Sequence, residues 1–132
     1  MRLLRLPYPQ AEQMFRRMVF NVMARNCDDH TKNFAFRLRK DQDWELAPAY
    51  DICHAFRPGS EWVIQHVLSI NGKRSNISKE DLLTIAKSMN IKKAKEIIQQ
   101  ISEVVKNWYY FAEETKVEPK LSNAIKSTLI TF

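Results

Sequence analysis

The stretch Asn26-Cys27-Asp28-Asp29-His30-Thr31-Lys32-Asn33, with Tyr50-Asp51 further along, gathers carboxylates, an amide and an imidazole into two short segments. Phosphoryl transfer uses such a set: an Asp poised on a substrate hydroxyl, an Asn five positions later on a metal, and a second Asp holding that metal from across a cleft. Asp28, Asn33 and Asp51 fit those roles by type and spacing. Taken singly, each polar residue after a helix could simply cap it or form a turn. A carboxylate and an amide, with the remaining positions left to water and phosphate oxygens, suit Mg²⁺. His30 and His54 match no common zinc spacing, and the donors around them are hard oxygens.

These residues need elements to hold them. Pro9 opens a helix, and Met14, Phe15, Met18, Val19, Val22 and Met23 recur at helical steps, so the pattern predicts a helix over 9–25. Residues 34–38 alternate large apolar with small or charged side chains, as a strand does, and Trp44-Glu45-Leu46 alternates again after the polar turn 40–43. Pairing of these runs makes a hairpin, with 28–33 as a helix-to-strand loop, and brings Asn33 and Asp51 to the same end of the ladder.

Residues 52–60 read as an irregular loop, and 62–70 as a short strand or extended crossing segment ending at Asn71-Gly72. Ser78 with Glu80 and Asp81 marks a helix start, running to about Asn90. One long helix is predicted over 92–114 from the stripe Ala94, Ile97, Ile98, Ile101, Val104, Val105, Trp108, Phe111 and Ala112. A last helix begins at Pro119, with Leu121, Ala124, Ile125 and Leu129 facing inward.

Length and composition agree with one helix-leaning domain: 132 residues, 45% hydrophobic, 27% charged, two Gly. The two cysteines, Cys27 and Cys53, form no disulfide framework or zinc site by count and read as buried or inert thiols. No apolar run spans a membrane and no signal peptide is evident, so the expected location is the cytoplasm. The net charge of +6 is scattered, Arg2, Arg5, Arg16 and Arg17 near the start and Lys92, Lys93 and Lys95 later, and reads as solvated surface; direct nucleic-acid binding is not expected.

The blocks Phe20-Asn21-Val22, 26–34 and Leu46-Ala47-Pro48-Ala49-Tyr50-Asp51-Ile52 together resemble the C-terminal kinase core of the HipA-like serine/threonine kinases. His66, Leu68, Ile70-Asn71-Gly72-Lys73 and Asp81-Leu82-Leu83 resemble the continuation of that family, so the likeness covers essentially the whole chain. It implies an α+β, predominantly helical fold, a protein-kinase-like C-terminal lobe with a short β-hairpin beside the catalytic loop. It implies Asp28 as catalytic base; His30, Lys32, Asn33, Tyr50 and Asp51 on the nucleotide side; and Asn33 and Asp51 as metal ligands, with ATP and Mg²⁺ as cofactors. Asp28 and Asp29 are adjacent acids, and the choice between them stays open at the level of sequence. Ile52-Cys53 stands where ordinary protein kinases have Phe-Gly, as is usual for the HipA-like group.

The same resemblance implies the toxin of a bacterial toxin–antitoxin system, a DNA-binding antitoxin as partner, and a protein substrate such as an aminoacyl-tRNA synthetase. With only Gly59 and Gly72 present, no Gly-rich phosphate loop and no nucleotide lysine can be placed. The expectation over 1–132 is therefore an incomplete kinase domain without its N-terminal lobe, poorly active alone, that lobe being supplied by a missing segment or a separate subunit. Two other readings stand beside it: a non-catalytic remnant binding protein or nucleic acid, and a metal-dependent nuclease using Asp28, Asp29 and Asp51.

Overall fold

The computed structural model describes residues 3–132; the readings that fall on Met1 and Arg2 lie outside them. Among the described residues the fold is mixed but mostly helical, five helices and one two-stranded hairpin. In chain order these are α1 (Tyr8–Met23), a 3-10 turn at Thr31–Asn33, β1 (Phe36–Leu38), β2 (Trp44–Leu46), α2 (Lys79–Ser88), α3 (Ala94–Lys106), α4 (Trp108–Glu114) and α5 (Pro119–Lys126).

Pro7 caps α1 and Pro9 lies in its first turn, where a missing N–H costs nothing. Its apolar face, Phe15, Val19, Val22 and Met23, is fully buried against α3, whose Ile97, Ile98, Ile101 and Val105 close the other side. Leu82 and Ala86 of α2, with Ile70, Ile77 and Ile91, complete the core. The ladder pairs Phe36 with Leu46, Arg37 with Glu45 and Leu38 with Trp44. Glu45 accepts from Arg37 at 2.6 Å and faces Arg39 at 3.1 Å.

Three of the helices, α1, α2 and α4, stop by a shared device. At the end of α1 the Asn26 N–H reaches the Asn21 carbonyl (2.9 Å), the Arg25 N–H reaches Val22 (3.4 Å), and Arg25 turns left-handed (φ 57°). This is the Schellman arrangement with an arginine where glycine is usual. Asn90 and Lys116 repeat it after α2 and α4. Ser78 caps α2 in a reciprocal box with Asp81, and Ser78→Ala should cost about 1 kcal/mol in a urea denaturation experiment.

Several expectations are corrected. The 3-10 turn takes Thr31–Asn33 and delays the first strand, so residues 34 and 35 lie outside it. The predicted helix over 92–114 is two helices, because Asn107 (φ −81°, ψ 20°) breaks the run with its N–H shared between the Glu103 and Val104 carbonyls. The stripe is not buried throughout: Val104 before the break and Phe111 after it are exposed, while Ala112 is buried. In α5 it is Ser122 that is buried, its carbonyl accepting from Trp108 Nε1 at 3.0 Å, while Leu121 and Ala124 face out. The helix packs chiefly on α4, with Lys126 Nζ also donating to the Lys106 carbonyl at the end of α3 (2.8 Å).

Residues 62–70 form turns rather than a strand, with Trp62 82% exposed. The Asn71-Gly72 signal survives: both residues have positive φ (51° and 78°), and Ile70 and Lys73 exchange both backbone hydrogen bonds, as a two-residue type I′ turn requires. Cys27 is buried as expected, but Cys53 is exposed.

Candidate functional site

The loop after α1 is built as a cradle. Cys27 N–H donates to the Ala55 carbonyl (3.1 Å) and Ala55 N–H to the Arg25 carbonyl (3.0 Å), tying the start of the loop to the segment that follows Asp51. The Arg25 guanidinium lies 3.7 Å over the Phe56 ring, a cation–π contact on the same seam. Asn26 Nδ2 donates to Asn21 Oδ1 (3.2 Å) and to the Asp51 carbonyl (3.3 Å), so the two segments approach through a buried amide.

The two adjacent acids have opposite surroundings. Asp29 is buried and saturated: its Oδ1 accepts from the backbone N–H groups of Val67 (2.9 Å) and Leu68 (3.3 Å), and its Oδ2 from His66 Nδ1 (3.0 Å). Asp28 has a half-exposed side chain, with His30 Nε2 4.0 Å away. Asp29 is thus committed to holding the 66–68 segment, while the Asp28 carboxylate stays half exposed.

Asn33 Nδ2 donates back to the Asp28 carbonyl (3.0 Å), which fixes the amide and leaves its Oδ1 unengaged. Tyr50 Oη donates to the Lys32 carbonyl (2.5 Å), closing the loop against the Asp51 segment. Asn33, Tyr50 and Asp51 line one depression with Asn21 and Asn26. Asp51 adopts a left-handed backbone (φ 52°), a conformation of modest strain for a non-glycine residue that points to a constrained position. Asp28 lies outside the lining of the depression, but both acids act on one neighbour: burial pushes the Cys53 thiol up, and the charges of Asp51 and Asp28 push it further. Lys32 and His30 flank the loop, Lys32 exposed and His30 half-buried.

No group of three or more His, Cys, Asp or Glu side chains able to hold a metal occurs among the described residues. The donors present are the Asp51 carboxylate and the free Oδ1 of Asn33. Such a set of hard oxygens, incomplete by itself, fits Mg²⁺ carried in with phosphate oxygens rather than a protein-caged ion.

Sequence reasoning missed a polar stripe on α1. Gln10 Oε1 accepts from Leu46 N–H (2.5 Å), Arg17 Nη2 donates to the Ala47 carbonyl (2.7 Å), and Asn21 receives Asn26. Their spacing of seven and then four puts them on one helix face, and that was the available signal. His66 figures in the sequence only as part of the resemblance, with no role attached.

His66 is a second titrating element. Burial pushes its imidazolium down, but the hydrogen bond to Asp29, with help from Cys27, outweighs burial and lifts the pKa to about 9. A folded value above the unfolded 6.5 means that stability is fully present below 6.5 and lost as pH rises toward 9. Urea midpoints measured from pH 6 to 9.5 should therefore fall, by up to about 3 kcal/mol in unfolding free energy, and His66→Gln should flatten the profile. At the acid end Asp81, held well below the usual carboxylate range by Lys73, Ser78 N–H and Asn71, stabilises above that range and loses its contribution as pH falls through it.

None of the helices described is long and apolar enough to cross a membrane. No curated protein matches the chain. The model of the HipA-like C-terminal domain matches residues 1–108, a span that takes in α1, the loop with Asp28 and Asn33, the hairpin, Asp51, the Asp29–His66 pair and the α1–α3 core. A match over that much of its length shows that the chain belongs to the family of HipA-like C-terminal domains.

Proposed function

We propose that this chain is the catalytic-loop lobe of a HipA-like, ATP-dependent serine/threonine protein kinase. The observation that carries the reading is the division of labour at the loop: Asn33 and Asp51 share one depression, Asp28 stands open beside it, and Asp29 is consumed by structure. The mostly helical surround with its short hairpin is then a kinase-like C-terminal lobe, with β1 and β2 delivering Asp51 next to Asn33.

Asn33 Oδ1 and the Asp51 carboxylate would hold Mg²⁺ together with ATP phosphate oxygens, and the ion would neutralise charge that builds on the transferring phosphoryl group. Asp28 would orient the Ser or Thr hydroxyl and accept its proton as the new oxygen–phosphorus bond forms and the bond from the γ-phosphorus to the bridging oxygen of ADP breaks. Lys32 and His30 flank the same loop and would face the phosphates, while Tyr50 braces it through the Lys32 carbonyl. A Gly-rich phosphate cover and nucleotide lysine would come from a further segment or a separate subunit, so transfer by these residues alone is slow. A DNA-binding antitoxin as partner and an aminoacyl-tRNA synthetase as substrate remain part of this proposal on family resemblance, as does a place in the cytoplasm.

Incubation of the chain with radiolabelled ATP, Mg²⁺ and candidate acceptor proteins tests it. Label on Ser or Thr that requires both Asp28 and Asp51 supports the kinase. Calorimetry showing no heat with ATP and Mg²⁺, while a protein partner is retained, would instead favour a non-catalytic binding module.

A further inference from the structure

We propose that Arg17 is a positioning residue for Asp51, acting through the Ala47 carbonyl and through one buried water that joins its guanidinium to Asn26. The inference rests on the kinase reading only for its consequence on metal binding; the water site stands on geometry.

Arg17 is 7% exposed on the polar stripe of α1, and of its nitrogens Nη2 is engaged, donating to Ala47 at 2.7 Å. Nε and Nη1 are buried and find no partner in the chain. Across the same depression Asn26 is 2% exposed, and its Oδ1 is likewise buried without a partner. The Asn26 amide cannot be reversed to cure this, because Nδ2 already donates to Asn21 Oδ1 and to the Asp51 carbonyl. Each such orphan costs about 1–3 kcal/mol, so the arrangement calls for a ligand that accepts from a guanidinium and donates to an amide oxygen at once.

Water does both. An anionic oxygen would satisfy Arg17 but set acceptor against acceptor at Asn26. Size points the same way: the void lined by Arg17, Asn21, Asn26, Asn33, Tyr50 and Asp51 is about 10 Å³, room for one water and too little for phosphate. Such a water accepts from one of the two open Arg17 donors, Nε–H, and gives one hydrogen to Asn26 Oδ1, which leaves its second hydrogen for the rest of a void that Asp51 also lines. Arg17 then fixes the Asp51 segment from two points, before it at Ala47 and beneath it through the water, which is what a left-handed aspartate on an exposed loop needs to keep one position.

Water-to-protein NOE measurements on the ¹⁵N-labelled chain test the site. Arg17 Nε–H should show a cross-peak with the sign of a long-lived bound water, unchanged on adding inorganic phosphate. Contact with fast-exchanging water only, or an Nε signal that titrates with phosphate, overturns the water, the latter by revealing an anion site. Arg17→Met and Arg17→Lys test positioning, at folded fractions matched by circular dichroism. Mn²⁺-induced broadening of the Asp51 amide should need about tenfold more Mn²⁺ in Arg17→Met and an intermediate amount in Arg17→Lys; equal requirements in all three chains overturn it. If the unsubstituted chain shows no Mn²⁺ broadening, it is the metal reading that fails. The Asp51 amide shift then decides: movement in Arg17→Met supports positioning, and an unmoved signal overturns it.

Discussion

Asp28→Ala should lower phosphoryl transfer by ~10²–10⁴-fold, the usual worth of a positioned general base, while leaving the urea midpoint within about 0.5 kcal/mol of the parent. The asymmetry follows from its surroundings. Asp28 has a half-exposed side chain whose contact with an ionisable group among the described residues is His30 at 4.0 Å, so removing it breaks no buried network. The Asn33 amide keeps its anchor, because that anchor is the Asp28 backbone carbonyl rather than its carboxylate. Equal loss of stability and activity on Asp28→Ala would place the residue in the scaffold instead. Measuring both quantities on one preparation makes the comparison direct.

Asp29→Ala should do the reverse, destabilising the fold by about 3–5 kcal/mol and reducing activity only through the folded fraction that remains. Its carboxylate is the common acceptor for the Val67 and Leu68 N–H groups and for His66. Truncation would leave two backbone donors without this acceptor and a buried imidazolium without its counter-charge. Asp29→Asn keeps the shape and one acceptor oxygen but loses the charge, so its cost should fall between those of the parent and Asp29→Ala. Thermal and urea unfolding of the three chains at pH 7 checks the order. A fully stable Asp29→Ala would show that the 66–68 segment is held by something else, for example by the Val67 N–H to Cys27 carbonyl bond alone (3.2 Å).

Local signals in the sequence carried the scaffold well where one face or one turn decides the outcome. The Trp44-Glu45-Leu46 strand, the Ser78 cap and the Asn71-Gly72 turn rest on contacts within about ten residues, and α1, though buried against distant α3, carries its period over about four turns. They failed where the partner is distant or missing. Asn107 breaks a stripe that reads as continuous, because a single polar residue is weak evidence against many apolar ones. Leu121 reads as buried but is exposed, since α5 turns chiefly Ser122 toward α4.

At the site, the types and spacing of Asp28, Asn33 and Asp51 were legible, as was the hairpin that draws Asn33 and Asp51 together. What separates Asp28 from Asp29 was not, because the distinction is made by His66 and the 67–68 backbone, nearly forty positions downstream. Arg17 was similarly hidden: read along the chain it is one more surface cation, and only its helix face, shared with Gln10 and Asn21, marks it as turned inward.

The most direct test of the proposed chemistry is a map of where Mn²⁺–ATP binds the ¹⁵N-labelled chain, read as paramagnetic broadening residue by residue. Signals from Asn33, including its side-chain amide, and from Asp51 and Asp28 should vanish first, and Asn33→Ala with Asp51→Ala should abolish the effect. Broadening centred elsewhere, such as on Asp81 and Lys73, or none at any concentration that saturates a kinase lobe, would contradict it.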